Sequence, residues 1–135
     1  MTLPDSITEK TEKTEKRIVL VVDDTPDNLS IMSGLLKEEY KVKVATGGER
    51  ALKIAQSDPQ PQLILLDIMM PEMDGFEVIR RLKGDSKTQG IPVIFLSAKA
   101  LPEDKQKGYD LGAVDYITKP IDPVMILDRV KKHIL

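Results

Sequence analysis

The chain of 135 residues contains no cysteine, so disulfide bonds and thiolate metal sites are excluded. This composition fits a reducing cytoplasm. Long hydrophobic runs are missing as well: no apolar stretch approaches the ~18 residues that a membrane span needs, and the N-terminus lacks the apolar core of a signal peptide. We therefore expect a cytoplasmic protein that has no membrane partner.

Neither sign of charge is in large excess. Twenty Lys and Arg residues stand against 22 Asp and Glu residues, which gives a formal net charge of −2. Such a chain has no broad basic surface for holding nucleic acid or anionic lipid, so we expect no direct binding of nucleic acid. The length suits one domain with a single buried core.

The first 16 residues are mostly polar. Residues 8–16 repeat the triplet Thr-Glu-Lys three times, which is a low-complexity tract. We expect residues 1–16 to form a disordered tail and residues 17–135 to form the folded domain. A helix braced by Glu–Lys pairs four residues apart is the alternative for the tail, although each such pair contributes only about 0.2–0.5 kcal/mol.

Five short apolar segments alternate with five segments of helical pattern. The predicted strands cover residues 18–22, 41–45, 63–66, 92–96 and 114–118. Helices are predicted to follow them, beginning near residues 26, 48, 74, 102 and 123. Because parallel strands need long crossover connections, this alternation predicts a parallel five-stranded sheet with helices on both faces.

The second predicted strand, residues 41–45, alternates charged and apolar residues and therefore suits an edge of the sheet. The strand order 2-1-3-4-5 places it there. We thus predict an α/β protein with the flavodoxin-like (βα)5 doubly wound sandwich, in which ligands bind beyond the carboxyl ends of the strands where the order reverses.

Capping residues mark several helix starts. Thr25 precedes a proline and is expected to cap the first helix with its hydroxyl group. Asp74 is followed three residues later by Glu77, which predicts a capping box. Asp122 precedes another proline and is expected to cap the last helix.

Acidic residues stand at two strand ends that the predicted topology makes neighbours. Asp23 and Asp24 follow the first strand, and Asp67 follows the third. Three converging carboxylates repel one another unless a cation lies between them, and Mg²⁺ suits oxygen ligands of this kind. The alternative for Asp23 and Asp24 is that they merely cap the next helix.

Asp67 is the candidate nucleophile, since a carboxylate can attack phosphorus when cations neutralise the transferring group. Lys119 follows the fifth strand and would supply an ammonium group, and a cis peptide bond to Pro120 is expected to turn it toward the site. Its alternative is an ordinary surface lysine in a turn.

Two further side chains lie near the same predicted edge. Ser97 ends the fourth strand, where its hydroxyl group can donate to a phosphoryl oxygen. Tyr116, in the fifth strand, is placed to turn inward behind Ser97. Their alternatives are a turn serine and an ordinary strand aromatic.

Four motifs together resemble the receiver domain of two-component response regulators, the CheY-like superfamily, over residues 17–135. They are Val-Asp-Asp at 22–24, Leu-Asp-Ile-Met-Met-Pro-Glu-Met-Asp-Gly at 66–75, Ser-Ala-Lys at 97–99 and Asp-Tyr-Ile-Thr-Lys-Pro at 115–120. The motifs occur in the order and at the distances that are typical of that family.

The resemblance implies a role for each matching acidic position. Asp67 would accept a phosphoryl group from a sensor histidine kinase or a histidine phosphotransfer protein. Asp24, Asp67 and the backbone carbonyl of Met69 would hold Mg²⁺, and Asp23 would contact the ion mainly through water.

The resemblance also implies a switch. Lys119 would bind the phosphoryl group, and Ser97 and Tyr116 would change position together. The surface of the fourth helix, fifth strand and fifth helix would then shift and meet a fused output domain or a second copy of the chain. Such a protein carries phosphate as a signal and is not a turnover enzyme.

Two other functions use a similar nucleophile or the same fold. A Mg²⁺-dependent phosphohydrolase of the haloacid dehalogenase type also uses an aspartate nucleophile, but it requires an acidic residue two positions later, where this chain has Met69. A flavin-binding domain of the same fold requires a phosphate-binding loop after the first strand, where this chain has acids. The single histidine, His133, is expected to face solvent.

Overall fold

The computed structural model describes residues 16–135, so the predicted tail lies almost entirely outside the described residues. Within that range five strands alternate with five helices, as predicted. The strands are β1 (Ile18–Val22), β2 (Lys41–Ala45), β3 (Leu63–Asp67), β4 (Val93–Ser97) and β5 (Asp115–Thr118). The helices are α1 (Pro26–Leu36), α2 (Gly48–Gln56), α3 (Gly75–Lys83), α4 (Pro102–Asp110) and α5 (Pro123–His133).

The strands form one parallel sheet in the order β2-β1-β3-β4-β5, which confirms the predicted flavodoxin-like topology. β1, β3 and β4 are buried along their whole length. In β2 only Ala45 is buried, as expected of an edge strand that carries lysines.

The predicted single core is wrong: side chains of alternate strand residues point to opposite faces of the sheet and form two separate cores. One core joins β1, β3 and β4 to α2 and α3, and Leu66 and Phe95 lie at its centre. The other joins the same strands to α1 and α5, and Leu65 and Leu96 belong to it. Both cores end at the carboxyl edge of the sheet, where the predicted site lies.

Helix α4 is attached differently from the other helices. Its one buried residue is Gly108, which packs against two aromatic rings of the sheet. A Cβ atom at Gly108 would lie 3.0 Å from the ring of Phe95 and 3.2 Å from that of Tyr116. The absence of a side chain therefore lets α4 approach these rings closely.

Two of the predicted caps are observed and one is wrong. Asp74 Oδ1 accepts from the Glu77 N–H at 2.9 Å, and Asp122 Oδ1 accepts from the Val124 N–H at 2.9 Å. Only this half of the predicted capping box is observed, because the Glu77 carboxylate accepts from Arg80 and Arg81 instead. Within the described residues the Thr25 hydroxyl makes no capping hydrogen bond. Its backbone N–H instead donates to Asp23 Oδ1 at 2.9 Å, so the β1-α1 turn is organised by Asp23.

Gly75 begins α3 directly against the end of β3. Its N–H donates to the Ile68 carbonyl at 2.8 Å, and a Cβ atom there would lie 2.4 Å from the Asp67 carbonyl oxygen and 2.8 Å from Ile68 Cα. Backbone atoms cannot rotate away as a flexible side chain can. The close approach of α3 to β3 therefore requires glycine at position 75.

We expect Gly75→Ala to lower the free energy of unfolding by about 2 kcal/mol or more, because α3 must move away from β3. Urea denaturation monitored by circular dichroism measures this loss. Gly34→Ala is the matched control: no atom lies within 4 Å of its Cβ position in α1, so alanine should stabilise the protein by about 0.5–1 kcal/mol. Equal stability of the two variants would contradict the proposed close packing.

Candidate phosphoacceptor site

The three predicted aspartates lie together at the carboxyl edge of the sheet. One carboxylate oxygen each from Asp23, Asp24 and Asp67 lies within 4.8 Å of the others. The pairing of β1 with β3, in which Val22 lies opposite Leu66, places the residues that follow side by side. Asp23 and Asp67 are each only 6% exposed, whereas Asp24 is exposed.

Lys119 reaches this cluster from the end of β5. Its Nζ lies 3.1 Å from Asp23 Oδ2 and 3.5 Å from Asp67 Oδ2. The peptide bond between Lys119 and Pro120 is cis, as predicted, and the Lys119 N–H donates to the Ser97 carbonyl at 2.9 Å. The ammonium group thus lies between two carboxylates.

Asn28 is a contributor that the sequence analysis missed. Its Nδ2 donates to Asp23 Oδ2 at 3.1 Å from the first turns of α1. Together with the Thr25 N–H it fixes the orientation of the Asp23 carboxylate. The signal in the sequence was the position of Asn28 five residues after Asp23. The first turns of a helix can bring a residue at that distance back over the end of the strand.

Burial dominates the electrostatics of Asp67. It raises the pKa of this carboxyl above its ordinary value of 3.8, the nearby Lys119 ammonium lowers the pKa, and the Asp23 carboxylate raises it further. The Met69 N–H also lowers it by donating to Asp67 Oδ1 at 3.4 Å. The net effect is a raised pKa, so the ionised form of Asp67 is disfavoured in the folded protein.

This raised pKa has a consequence for stability. The folded state binds the Asp67 proton more tightly than the unfolded chain does, so the contribution of Asp67 to stability falls as pH rises from about 3.8 through the raised pKa. Without divalent cations at neutral pH, Asp67→Asn should therefore melt at a higher temperature than the native protein. A gain of about 1 kcal/mol corresponds to roughly 4 °C in a domain of this size.

Thermal melts of both proteins in EDTA, taken at intervals between about pH 3 and pH 8, test this expectation. The difference between the two melting temperatures isolates Asp67 from other titrating groups. A difference that stays constant with pH would contradict the raised pKa.

The donor set of the cluster fits a hard divalent cation. All its side-chain ligands are carboxylate oxygens, and two of the three carboxylates are nearly buried, so a cation there would relieve their repulsion. Mg²⁺ prefers such ligands and retains several waters, which the exposed side of Asp24 leaves room for.

Ser97 and Tyr116 both form hydrogen bonds with the backbone of Lys99. The Ser97 hydroxyl oxygen accepts from the Lys99 N–H at 3.1 Å, and the Tyr116 hydroxyl donates to the Lys99 carbonyl at 2.7 Å. Ser97 is fully buried and Tyr116 is nearly so, with its ring centroid 5.9 Å from that of Phe95. Tyr116 therefore points inward and fastens the β4-α4 connection to β5.

Residues 19–131 match the family profile of the response regulator receiver domain. The chain belongs to the response regulator receiver family. The predicted family membership is thereby confirmed, and the phosphohydrolase alternative is not favoured.

Two curated relatives of this receiver domain are much longer proteins. It is 48% identical over 116 residues to a probable cyclic di-GMP phosphodiesterase of Vibrio cholerae and 46% identical over 114 residues to the response regulator PleD of Caulobacter vibrioides. These matches cover 86% and 84% of the chain, but only 26% and 25% of the relatives. The chain thus spans about a quarter of the length of these two relatives.

Solved structures show the same fold. The chemotaxis protein CheY4 of Vibrio cholerae superposes with a TM-score of 0.82 at 31% identity, covering 87% of this chain and 98% of that one. A BeF3-activated DrrB receiver domain gives a TM-score of 0.78 at 32% identity, covering 87% and 96%. None of the helices between residues 16 and 135 is long and apolar enough to cross a bilayer.

The expectation that His133 faces solvent is wrong. Its side chain is only 20% exposed, and Nε2 lies 3.1 Å from Asp115 Oδ2. Arg129 Nη1 donates to both oxygens of Asp115 at 2.8 Å. Burial acts to raise the pKa of Asp115, but the hydrogen bonds from Arg129, the Tyr116 N–H and His133 outweigh it and lower the pKa. This cluster ties β5 to α5 away from the three aspartates.

Proposed function

We propose that this receiver domain is a phosphorylation switch in which Asp67 accepts the phosphoryl group. The observation that carries the proposal is the position of Asp67, a nearly buried carboxylate with the Lys119 ammonium at 3.5 Å and two further carboxylates beside it. A nucleophile, a cation donor and a metal-binding ligand set therefore converge on one point.

The step is a transfer from a phosphohistidine of the partner. An Asp67 oxygen forms a bond to phosphorus while the P–N bond breaks, and the electron pair of that bond returns to the imidazole nitrogen. Lys119 neutralises charge on the transferring group, since its ammonium already lies between Asp23 and Asp67.

Asp24, Asp67 and the backbone carbonyl of Met69 would hold Mg²⁺ directly, with Asp23 acting mainly through water. When bound, Mg²⁺ supplies positive charge that stabilises the phosphoryl oxygens. The contribution of this chain is to hold the carboxylates in place, and the hydrogen bonds from Thr25 and Asn28 to Asp23 do so.

Ser97 would respond to the change of charge at Asp67. The Ser97 oxygen accepts from the Lys99 N–H, and a movement of this side chain toward the phosphoryl group, to which it would donate, would break that bond and release the β4-α4 connection on one side. Tyr116 holds the other side through the Lys99 carbonyl. The added charge of about −1.5 to −2 thereby shifts the populations of the surface formed by α4, β5 and α5.

The partners follow from this role. A sensor histidine kinase or a histidine phosphotransfer protein supplies the phosphoryl group, and the surface of α4, β5 and α5 meets a fused output domain or a second copy of the chain. The relatives that extend well beyond the matched region support a fused output domain. In this role the chain carries phosphate on itself and is not a turnover enzyme.

Incubation with a small acyl phosphate and Mg²⁺ tests the function. We expect about one phosphoryl group per chain, bound at Asp67 and mapped by mass spectrometry, with no labelling in EDTA. The same sample measures release of inorganic phosphate. Rapid release over many turnovers without retained label would overturn the proposal in favour of a phosphohydrolase.

A further inference from the structure

Met69 is unusual among the methionines between residues 16 and 135. Its side chain is 57% exposed, and it lies two residues after Asp67. Met125 is 40% exposed at the start of α5, whereas Met32, Met70 and Met73 are all buried. The thioether of Met69 is thus open to small reagents in solution, while those of its loop neighbours Met70 and Met73 are not.

Met69 also borders an open surface cavity that has two charged side chains in its lining, Asp74 and Lys99. The cavity has a volume of about 370 Å³ and is lined by Ile68, Met69, Met70, Asp74 and Lys99. It adjoins the segment that follows the phosphoacceptor, since the Met69 N–H donates to Asp67 Oδ1 at 3.4 Å. The exposed Met69 side chain thus forms one wall of a pocket beside the phosphoacceptor, while the Met69 backbone contacts Asp67 directly.

Lys99 offers a free donor in this cavity. The backbone of Lys99 is fixed by Ser97 and Tyr116, but among residues 16–135 its ammonium group has neither a hydrogen bond nor an ion pair. A thioether is only a weak acceptor, so Met69 as it stands offers Lys99 little. A stronger acceptor at the same place would form a bridge across the cavity.

We propose that Met69 is a reversible oxidation site that controls access to Asp67. Hydrogen peroxide transfers one oxygen atom to the sulfur, the O–O bond breaks, and water leaves, which gives methionine sulfoxide. The sulfoxide oxygen accepts a hydrogen bond from the Lys99 ammonium and closes the cavity. The effect on phosphorylation rests on the proposed function, whereas the oxidation and the bridge do not.

The test treats the folded protein with hydrogen peroxide and maps the products by mass spectrometry. We expect sulfoxide at Met69 and Met125 and little at Met32, Met70 and Met73. Labelling by a small acyl phosphate should become about threefold to tenfold slower after oxidation, the effect of one hydrogen bond on a rate. Treatment with methionine sulfoxide reductases should restore the original rate.

Three variants identify the residues that cause the slower labelling, and each variant is compared before and after treatment with hydrogen peroxide. Met69→Leu should lose the response, and Lys99→Ala should lose it although Met69 is still oxidised. Met125→Leu, the matched control, should respond as the native protein does. Equal slowing in Met69→Leu and the native protein, or no oxidation of Met69 in the folded state, would overturn the proposal.

A second readout is independent of phosphorylation. When the Lys99 amine is bridged to the sulfoxide, it should react more slowly with a small acylating reagent, which mass spectrometry measures at Lys99. If the unoxidised protein takes no phosphate, the proposed function fails, but the reactivity of the Lys99 amine still shows whether the bridge to the sulfoxide forms. Unchanged reactivity of Lys99 after complete oxidation of Met69 would refute it.

Discussion

Replacing Asp67 by asparagine is expected to abolish labelling by a small acyl phosphate in the presence of Mg²⁺. The amide has nearly the same shape as the carboxylate, but it carries no negative charge and its nitrogen lone pair is delocalised, so it does not attack phosphorus. The variant also removes the negative charge that Asp67 would offer to a bound Mg²⁺. Intact-protein mass spectrometry measures the loss, which should be complete.

Asp74→Asn is the matched control. It removes an exposed carboxylate from the same connection between β3 and α3, and asparagine caps a helix as well as aspartate does. This variant should label as the native protein does. Stoichiometric labelling of Asp67→Asn at another residue would defeat the assignment of the phosphoacceptor.

The second large effect is expected from Lys119→Ala, which should still take phosphate at Asp67 but lose most of the conformational response. The ammonium lies 3.1 Å from Asp23 and 3.5 Å from Asp67, so it connects new charge at Asp67 to the end of β5. Without it, the phosphoryl group loses its cationic partner at the end of β5. A loss of about 1.4 kcal/mol of coupling would reduce the ratio of switched to unswitched protein tenfold.

Amide chemical shifts of α4 and β5, recorded with and without phosphodonor, measure this response. Lys53→Ala, which removes an exposed lysine from α2, is the control and should switch normally. A normal shift pattern in phosphorylated Lys119→Ala would remove the role proposed for this lysine.

The strand order and the convergence of the three aspartates could be predicted because both depend on the pattern of apolar and polar residues along the chain. Apolar runs of strand length, interrupted by helical periodicity, leave few topologies for a parallel sheet. Once Asp23 and Asp67 are assigned to the ends of neighbouring strands, the topology alone brings them together. The close packing of Gly75 against the Asp67 carbonyl follows from the same constraint, but only coordinates show its extent.

Contacts that depend on side-chain geometry could not be predicted. Thr25 has the sequence of an N-cap, yet Asp23 takes the Thr25 N–H and organises the turn. Asn28 and His133 each reach a carboxylate only because a helix lies at a particular rotation against its strand. Sequence spacing fixes which face of a helix is apolar, but not which polar atom at its margin meets a partner.

The attachment of α4 through Gly108 has one more consequence. A helix that buries so little hydrocarbon gains little free energy from staying docked, and its opening is therefore among the least costly excursions available to the folded chain. Because the two rings beneath α4 include Tyr116, a rotation of that ring removes part of the surface against which α4 packs. If Asp67 acts as proposed, a change there would thus reach the surface of the protein through Tyr116, a residue at the edge of the first core.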